Sequence, residues 1–240
     1  MPTLNEAGNI ADLIRESVQT VRQAGIERIE VIVVDDDSPD GTWAIAGQVN
    51  CDGADIRVLR RMSEHGLTNA LRHGIAEARY DVIVWLDCDF SHPPESIPQM
   101  LYMLGQGFDV VVNSRYTVGG GEDRAGKGGP LQRILSFVLN WGVRFLLYPA
   151  FADYTSGFVA VRRDVLRAVP LQGDYGEYFV RFIFRVLRLH YKVCELPYFA
   201  MPRRSGESKT GTNIWDYGRR GRKYLWTVVQ LRLGVLRGTI

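Results

Sequence analysis

Apolar residues at positions 10, 13, 14, 18 and 21 recur with helical spacing, and Gly25 supplies a stop, so the chain opens with an amphipathic helix. IEVIVVDD (29–36) follows as a continuous apolar run ending in acids, the pattern of a strand buried on both faces. The same alternation continues with a helix over 42–48, a strand over 56–59, a helix over 67–78 and a strand over 82–86. A further helix is predicted from Pro94 to about 106, then a strand in DVVVNS (109–114). Alternating strands and helices predict an α/β sandwich with a mostly parallel sheet, which binds ligands beyond the carboxyl ends of its strands. Both acidic clusters of the chain, 35–37 and 87–89, fall at such ends.

Two later segments break this rhythm. Residues 131–148 are almost wholly apolar, save Ser136, Asn140 and Arg144 recurring every four residues, with Arg133 nearby. A helix of this kind is either buried or lies in a membrane interface. Residues 218–236 set a basic cluster before an apolar stretch containing Trp226, while Gln230, Arg232 and Arg237 speak against a membrane span. An amphipathic helix on a membrane surface fits better, since polybasic segments are drawn to anionic lipid. We therefore divide the chain at 213, with a main domain over 1–213 and a basic amphipathic helix over 214–240.

Charge sharpens the division. The net charge is only +2, yet residues 203–240 carry nine Lys or Arg against Glu207 and Asp216. An acidic body with a basic end suits an anionic partner. Nucleic acid is disfavoured, because no aromatic residues interleave with the basic ones for base stacking. At 240 residues and 46% hydrophobic content the chain can bury one sizeable core. Its three scattered cysteines form no metal-ligand spacing and suit a reducing compartment, and no signal-like start is present. A cytoplasmic protein, peripheral to a membrane, is the expectation.

The chemistry centres on DVIVWLDCDFSHPPE (81–95). Side chains alternate along a strand, so Asp87 and Asp89 leave on one side and converge. Two carboxylates with open positions suit a hard divalent cation shared with substrate phosphates. Arg115, after the next strand, is read either as a phosphate ligand or as a surface ion pair with Glu122 or Asp123. Six glycines among residues 119–129 suit a mobile loop over the site or a plain linker.

Taken together, PTLNEAGNI (2–10), VVDDDSPDGTW (33–43), LRRMSEHGLTNAL (59–71), DCDFSHPPE (87–95), NSRYTVGGG (113–121), SGFVAVRRDVL (156–166) and RRSGESKTG (203–211) resemble the family 2 glycosyltransferases, in particular those acting on polyprenyl phosphates. The resemblance implies a GT-A fold, a nucleotide diphosphate sugar as donor, and Mg²⁺ or Mn²⁺ as cofactor. It implies inverting transfer to a dolichyl or other polyprenyl phosphate. GDP-mannose is the favoured donor; UDP-glucose, UDP-N-acetylhexosamine, a soluble acceptor or a non-catalytic nucleotide-binding subunit are alternatives. It assigns Asp87, Asp89 and Ser91 to the metal, and Pro2, Glu6, Val34 and Asp36 to the base and ribose. Arg115, Arg203 and Lys209 are assigned to phosphates, with Asp89 and Arg115 as the catalytic pair, and Arg133 and Ser136 to the acceptor phosphate of a lipid guided by helix 131–148. Family members often continue into transmembrane helices, so a separate membrane subunit is a further expected partner.

Two departures stand out. The family pattern begins with a central strand ahead of the Pro-Thr segment, whereas Pro2 here follows Met1 directly, so we expect a truncated or misassigned start and an opened sheet. Leu4 stands where the family usually has an aromatic near the base.

Overall fold

The computed structural model describes residues 1–122, 130–206 and 214–238, with side chains omitted for 130–136 and 214–220. The first half is a strand–helix alternation: β1 (Pro2–Thr3), α1 (Ile10–Gln23), β2 (Ile29–Asp35), α2 (Thr42–Gly47), β3 (Ala54–Arg60), α3 (Leu67–Glu77) and β4 (Val82–Trp85). A short 3₁₀ turn, Pro94–Ser96, leads into α4 (Ile97–Gly105), β5 (Val110–Ser114), β6 (Gly121–Glu122) and α5 (Pro130–Leu146). The chain then runs through β7 (Val159–Arg162), α6 (Arg163–Ala168), α7 (Glu177–Arg188), β8 (Val193–Pro197), β9 (Phe199–Ala200) and α8 (Ile214–Leu236).

Every element read from the apolar pattern forms, within a few residues of its expected bounds. In α1 the stripe Ile10, Leu13, Ile14, Val18 and Val21 is buried, and Gly25 ends the helix at φ 83°, a conformation costly for any residue with a Cβ. β2 is buried along its second half because helices cover both faces of the sheet.

The sheet comes in two pieces. β1, β2 and β3 pair in parallel, with β2 against β3 over seven residues but β1 against β2 over only two. β4, β7, β5 and β8 form the second piece, in that order. Here β7 runs antiparallel to both β4 and β5, while β5 and β8 are parallel. β7 was not foreseen: VAVR is only three apolar residues and an arginine, and nothing local tells so short a run from a piece of buried helix. Two apolar cores result. One lies among α1, α4 and the sheet and is centred on Ile10, Leu13, Ile14, Val33 and Met100; the other gathers α7, α8 and the second sheet around Phe179, Phe182 and Ile183.

Candidate active site

β4 ends at Trp85, and beyond it Leu86, Cys88 and Phe90 are buried, so the alternate residues Asp87 and Asp89 turn toward the opposite side. The loop is held from behind. The Asp87 N–H donates to His92 Nδ1 at 3.0 Å, and the buried His92 ring stacks on Phe158 with centroids 4.9 Å apart. His92 is thus a clamp on the acidic loop. Phe90 adopts φ 66°, which folds the chain back so that Ser91 N–H and Oγ–H both donate to Asp89 Oδ1, at 2.9 and 2.6 Å.

The other Asp89 oxygen meets Arg203, with Nη2 2.8 Å from Oδ2. The same guanidinium reaches Glu6 through Nη1, at 2.9 and 3.2 Å from its two oxygens. Around this bridge the strap 203–206 is laid down: Arg204 N–H donates to Asp89 O, Arg204 covers the Phe90 ring, and Asn9 Nδ2 donates to Ser205 O. Asp87 is open to solvent in the cleft, but enough protein surrounds its carboxyl that lost hydration raises its pKa; His92 offsets this and neighbouring Asp89 adds to it. Asp89 is buried too, yet the Arg203 charge and the Ser91 hydrogen bonds outweigh burial and lower it. The two carboxyls are thereby shifted in opposite directions.

The acidic end of β2 builds the opposite wall. Asp35 is consumed by structure, accepting from Thr3 Oγ1, Ser38 N–H and Ser38 Oγ. Asp36 accepts from Gly66 N–H at 2.6 Å and lies 3.3 Å from Arg61 Nη1, both side chains being buried. Gly66 has φ 125°, so a glycine is needed to aim that N–H. Asp37 pairs with Arg60. Residues 5–7 are zipped to 38–42 by Asn5 N–H on Ser38 Oγ, Glu6 N–H on Thr42 Oγ1 and Ala7 N–H on Asp40 Oδ2. The Val34 side chain is interior and its N–H donates to Met1 O within the sheet. Pro2 lies opposite it in the β1–β2 ladder.

Arg115 makes the ion pair with Glu122 that one reading offered, but makes it in the interior rather than at the surface, and its guanidinium is already engaged by protein. It is buried, and its Nε and Nη2 fork both oxygens of Asp153 at 2.9 Å while Nη2 also reaches Thr155 Oγ1. Glu122 sits 3.7 Å from Nη1. Burial opposes the Arg115 charge, but Asp153 more than offsets it and holds the guanidinium firmly protonated. Asp153 in turn stays low because Arg115 outweighs its own burial. Glu195 fixes the loop by accepting N–H bonds from Ala152 and Asp153 at 2.7 and 3.0 Å, and its own burial raises its carboxyl. Sequence reasoning missed Asp153, Thr155 and Glu195, which no spacing rule ties to position 115.

α5 is apolar on two faces, with Val143 and Leu147 buried in the core beside Asn140 and a second apolar face exposed. Asn140, from its polar stripe, is 4% exposed and clamps the loop, donating to Ala152 O and accepting from Tyr154 N–H. Arg144 donates to Pro149 O. The aromatic face points outward instead: Trp141 and Phe145 are 59% and 67% exposed and stack on each other, beside Phe137 and Val138. α8 adds Leu225, Trp226, Val229 and Leu233 to the exposed apolar surface, and Arg232 reaches the Leu146 carbonyl at the end of α5. Arg133 and Ser136 fall in the first two turns of α5, where side chains are outside the described set, and Lys209 lies outside the described residues altogether.

A family model described as Glycosyl transferase family 2 matches residues 1–169. The chain belongs to that family. Among relatives of this family 2 chain is a dolichol-phosphate mannosyltransferase of Pyrococcus furiosus, 33% identical over 221 residues, covering 90% of this chain and 60% of the relative's length. A polyprenol monophosphomannose synthase of Mycolicibacterium smegmatis is 33% identical over 223 residues, covering 89% and 81%. An undecaprenyl-phosphate mannosyltransferase of Micrococcus luteus is 31% identical over 254 residues, covering 98% of each. Among solved structures, glucosyl-3-phosphoglycerate synthase from Mycobacterium tuberculosis, in complex with Mn²⁺, UDP-glucose and phosphoglyceric acid, matches with a TM-score of 0.70 at 20% identity, over 95% of this chain and 77% of that one. The fold of this family 2 glycosyltransferase is accordingly GT-A-like.

The structure gathers Asp87, Asp89, Ser91, Glu6 and Arg203 at one point and sets Asp36 on the facing wall. Among the described residues no cluster of three or more His, Cys, Asp or Glu could hold a metal ion. The donor set nonetheless fits a hard cation: two carboxylates and a hydroxyl supply oxygen, and a guanidinium already sits on Asp89 as a positive charge. Such a site is half-built by protein, leaving positions for substrate oxygens.

Proposed function

We propose that the chain transfers a single sugar, with inversion, from a nucleotide diphosphate sugar, GDP-mannose first, to a polyprenyl phosphate at a membrane surface. The observation that carries this reading is α5, which packs Val143 and Leu147 into the core and holds the 152–154 loop through Asn140 while Trp141, Phe145 and Phe137 face outward. No water-soluble acceptor requires such a face, and an exposed apolar patch of this kind marks a lipid or protein partner. Three relatives named for mannosyl transfer to dolichol, polyprenol or undecaprenyl phosphate support the same choice.

In this reading Asp87, Asp89 and Ser91 hold Mg²⁺ or Mn²⁺, which when bound would neutralise charge on the departing diphosphate. Glu6 and Asp36 flank the nucleoside, and Arg203, released from Asp89, moves onto the diphosphate with Lys209 beside it. Arg133 and Ser136 receive the acceptor phosphate. Arg115 acts through position, holding Asp153 and the loop over β5, since its fork is filled. The acceptor phosphate is largely ionised at neutral pH, its second pKa being about 6, so the protein's task is alignment and charge neutralisation. Contact with the bilayer is through the exposed apolar residues of α5 and α8; among the described residues no helix is long and apolar enough to cross a membrane. A separate membrane subunit remains part of the proposal.

The test offers labelled GDP-mannose, UDP-glucose and UDP-N-acetylglucosamine with a polyprenyl phosphate and Mg²⁺ or Mn²⁺. Lipid-linked product from GDP-mannose, abolished by EDTA and in Asp89→Ala, is expected. Product only with a soluble phosphorylated acceptor overturns the lipid reading, and product only from a UDP-sugar overturns the donor.

A further inference from the structure

α7 and α8 lie side by side and run the same way. Asp174 meets Lys223, Gly176 underlies Tyr224, and Arg181 donates to Gln230, so the contacts advance together along both helices. Continued at the same rise, Arg185 falls level with Gly234 and Arg188 level with Arg237. α7 buries Phe179, Phe182 and Ile183 in the core and leaves Arg181, Arg185 and Arg188, spaced by four and three, along its outer edge.

That edge borders an exposed apolar row. On α8, Trp226, Val229, Leu233 and Leu236 follow one another at helical spacing and are all exposed, Leu236 to 82%. Arg222 precedes the row by one turn and Arg237 closes it. Among the described residues no ion pair or side-chain hydrogen bond engages Arg185, Arg188, Arg222 or Arg237. Neither helix offers an acid in return: the one carboxylate of α7, Glu177, is buried, and residues 221–236 of α8 contain none. Arginines in a last helical turn complement the helix dipole, which accounts for Arg185 and Arg188 but not for Arg222, part-way along α8.

An exposed apolar patch marks a partner, and a rim of one sign selects which. A second copy docked on this patch would set the same arginines against one another, a like-charge contact that disfavours it. Guanidiniums beside Trp and Leu suit a surface that is anionic at its headgroups and apolar just beneath them. We propose that α7 supplies the electrostatic half of a bilayer contact: Arg185 and Arg188, with Arg222 and Arg237 of α8, meet the phosphates of anionic lipids while the α8 row enters the acyl boundary. The proposal rests on the reading of α5 and α8 as bilayer-facing, and adds that the contact selects anionic lipid through the arginine edge of a third helix.

The experiment is co-sedimentation of the full chain with vesicles of phosphatidylcholine alone, or of phosphatidylcholine with a quarter phosphatidylglycerol. An arginine near an anionic surface contributes about fivefold, so the double variant Arg185→Gln, Arg188→Gln should bind the anionic vesicles about 25-fold more weakly than the parent and the neutral ones equally well. Neither guanidinium holds a partner, so the melting temperature should stay close to the parent's, and Arg185→Lys, Arg188→Lys should restore binding. Raising NaCl from about 0.1 M to about 1 M shortens screening from ~10 Å to ~3 Å and should erase the parent's preference for anionic lipid. Should the glutamine variant fail to fold, Arg222→Gln, Arg237→Gln on the other helix carries the same expectation. Equal binding of parent and folded glutamine variant to anionic vesicles overturns the proposal, as does lipid-free self-association of the parent that the variant lacks. Parent binding that is no tighter to anionic than to neutral vesicles overturns it and leaves the membrane reading standing; binding to neither overturns both.

Discussion

Asp89 has one oxygen tied to Ser91 and the other to Arg203, so a cation arriving at the carboxylate must displace a guanidinium. Removing that competitor has opposite effects on binding and turnover. We predict that Arg203→Ala binds Mn²⁺ alone about tenfold more tightly, equivalent to ~1.4 kcal/mol, while transfer falls because the diphosphate loses a cation. Calorimetric titration without nucleotide checks the first half, and weaker Mn²⁺ binding in the variant would refute it. Arg115 poses a different problem, being half of a buried pair. Asp153→Ala leaves its guanidinium uncompensated in the interior and should lower unfolding free energy by about 3–5 kcal/mol, read from urea denaturation. A loss under 1 kcal/mol would mean that Glu122 or solvent takes over. At this scale the acidic pair 87/89 was legible in the sequence because strand alternation fixes where its side chains go. The Asp153 and Thr155 partners of Arg115 were not, since they lie 38 and 40 residues on in a loop brought to β5 by long-range contacts that no local pattern encodes.

Among the elements, α5 separates what a helical pattern reveals from what it conceals. The four-residue recurrence of Ser136, Asn140 and Arg144 is visible in the sequence, but the side that faces the protein is decided by the loop it meets. Asn140 matches two backbone groups of residues 152 and 154, and that match turns the aromatic face outward. The double variant Trp141→Glu, Phe145→Glu should therefore fold with a melting temperature close to that of the parent, as for exposed positions in general. It should lose most of its co-sedimentation with anionic vesicles and its transfer to long-chain polyprenyl phosphate. Undiminished vesicle binding would place the membrane contact elsewhere. β7 was concealed for a related reason: its antiparallel placement between β4 and β5 follows from long-range pairing that a four-residue segment does not encode.

For the whole molecule, the buried carboxyls give stability a pH profile whose signs are fixed by their shifts. Asp153, Asp89 and Glu30 are held below their ordinary values, so their contribution is full at neutral pH and is lost as pH falls through about 4 and below. Asp87 and Glu195 are raised by burial, and their ionised forms weaken the fold; protonating them on mild acidification relieves that. Urea midpoints should hold or rise slightly as the pH falls toward the ordinary carboxylate range and drop steeply below about 4. Glu195→Gln should flatten the upper part of the curve, and a midpoint falling steadily from pH 7 would contradict this assignment.

α8 is fastened to the rest of the protein at several points: Lys223 to Asp174, Tyr224 against Gly176, and Arg181 to Gln230. A Cβ at Gly176 would come within 2.1 Å of the Tyr224 hydroxyl, so the tip of that side chain rests directly on the glycine. A flexible leash would let the catalytic cleft sample many heights above a bilayer; a bolted helix sets one. Acceptors would then be selected by how far their phosphate stands from the hydrocarbon boundary, and polyprenyl chains of different length, all presenting that phosphate at the same depth, would be served alike.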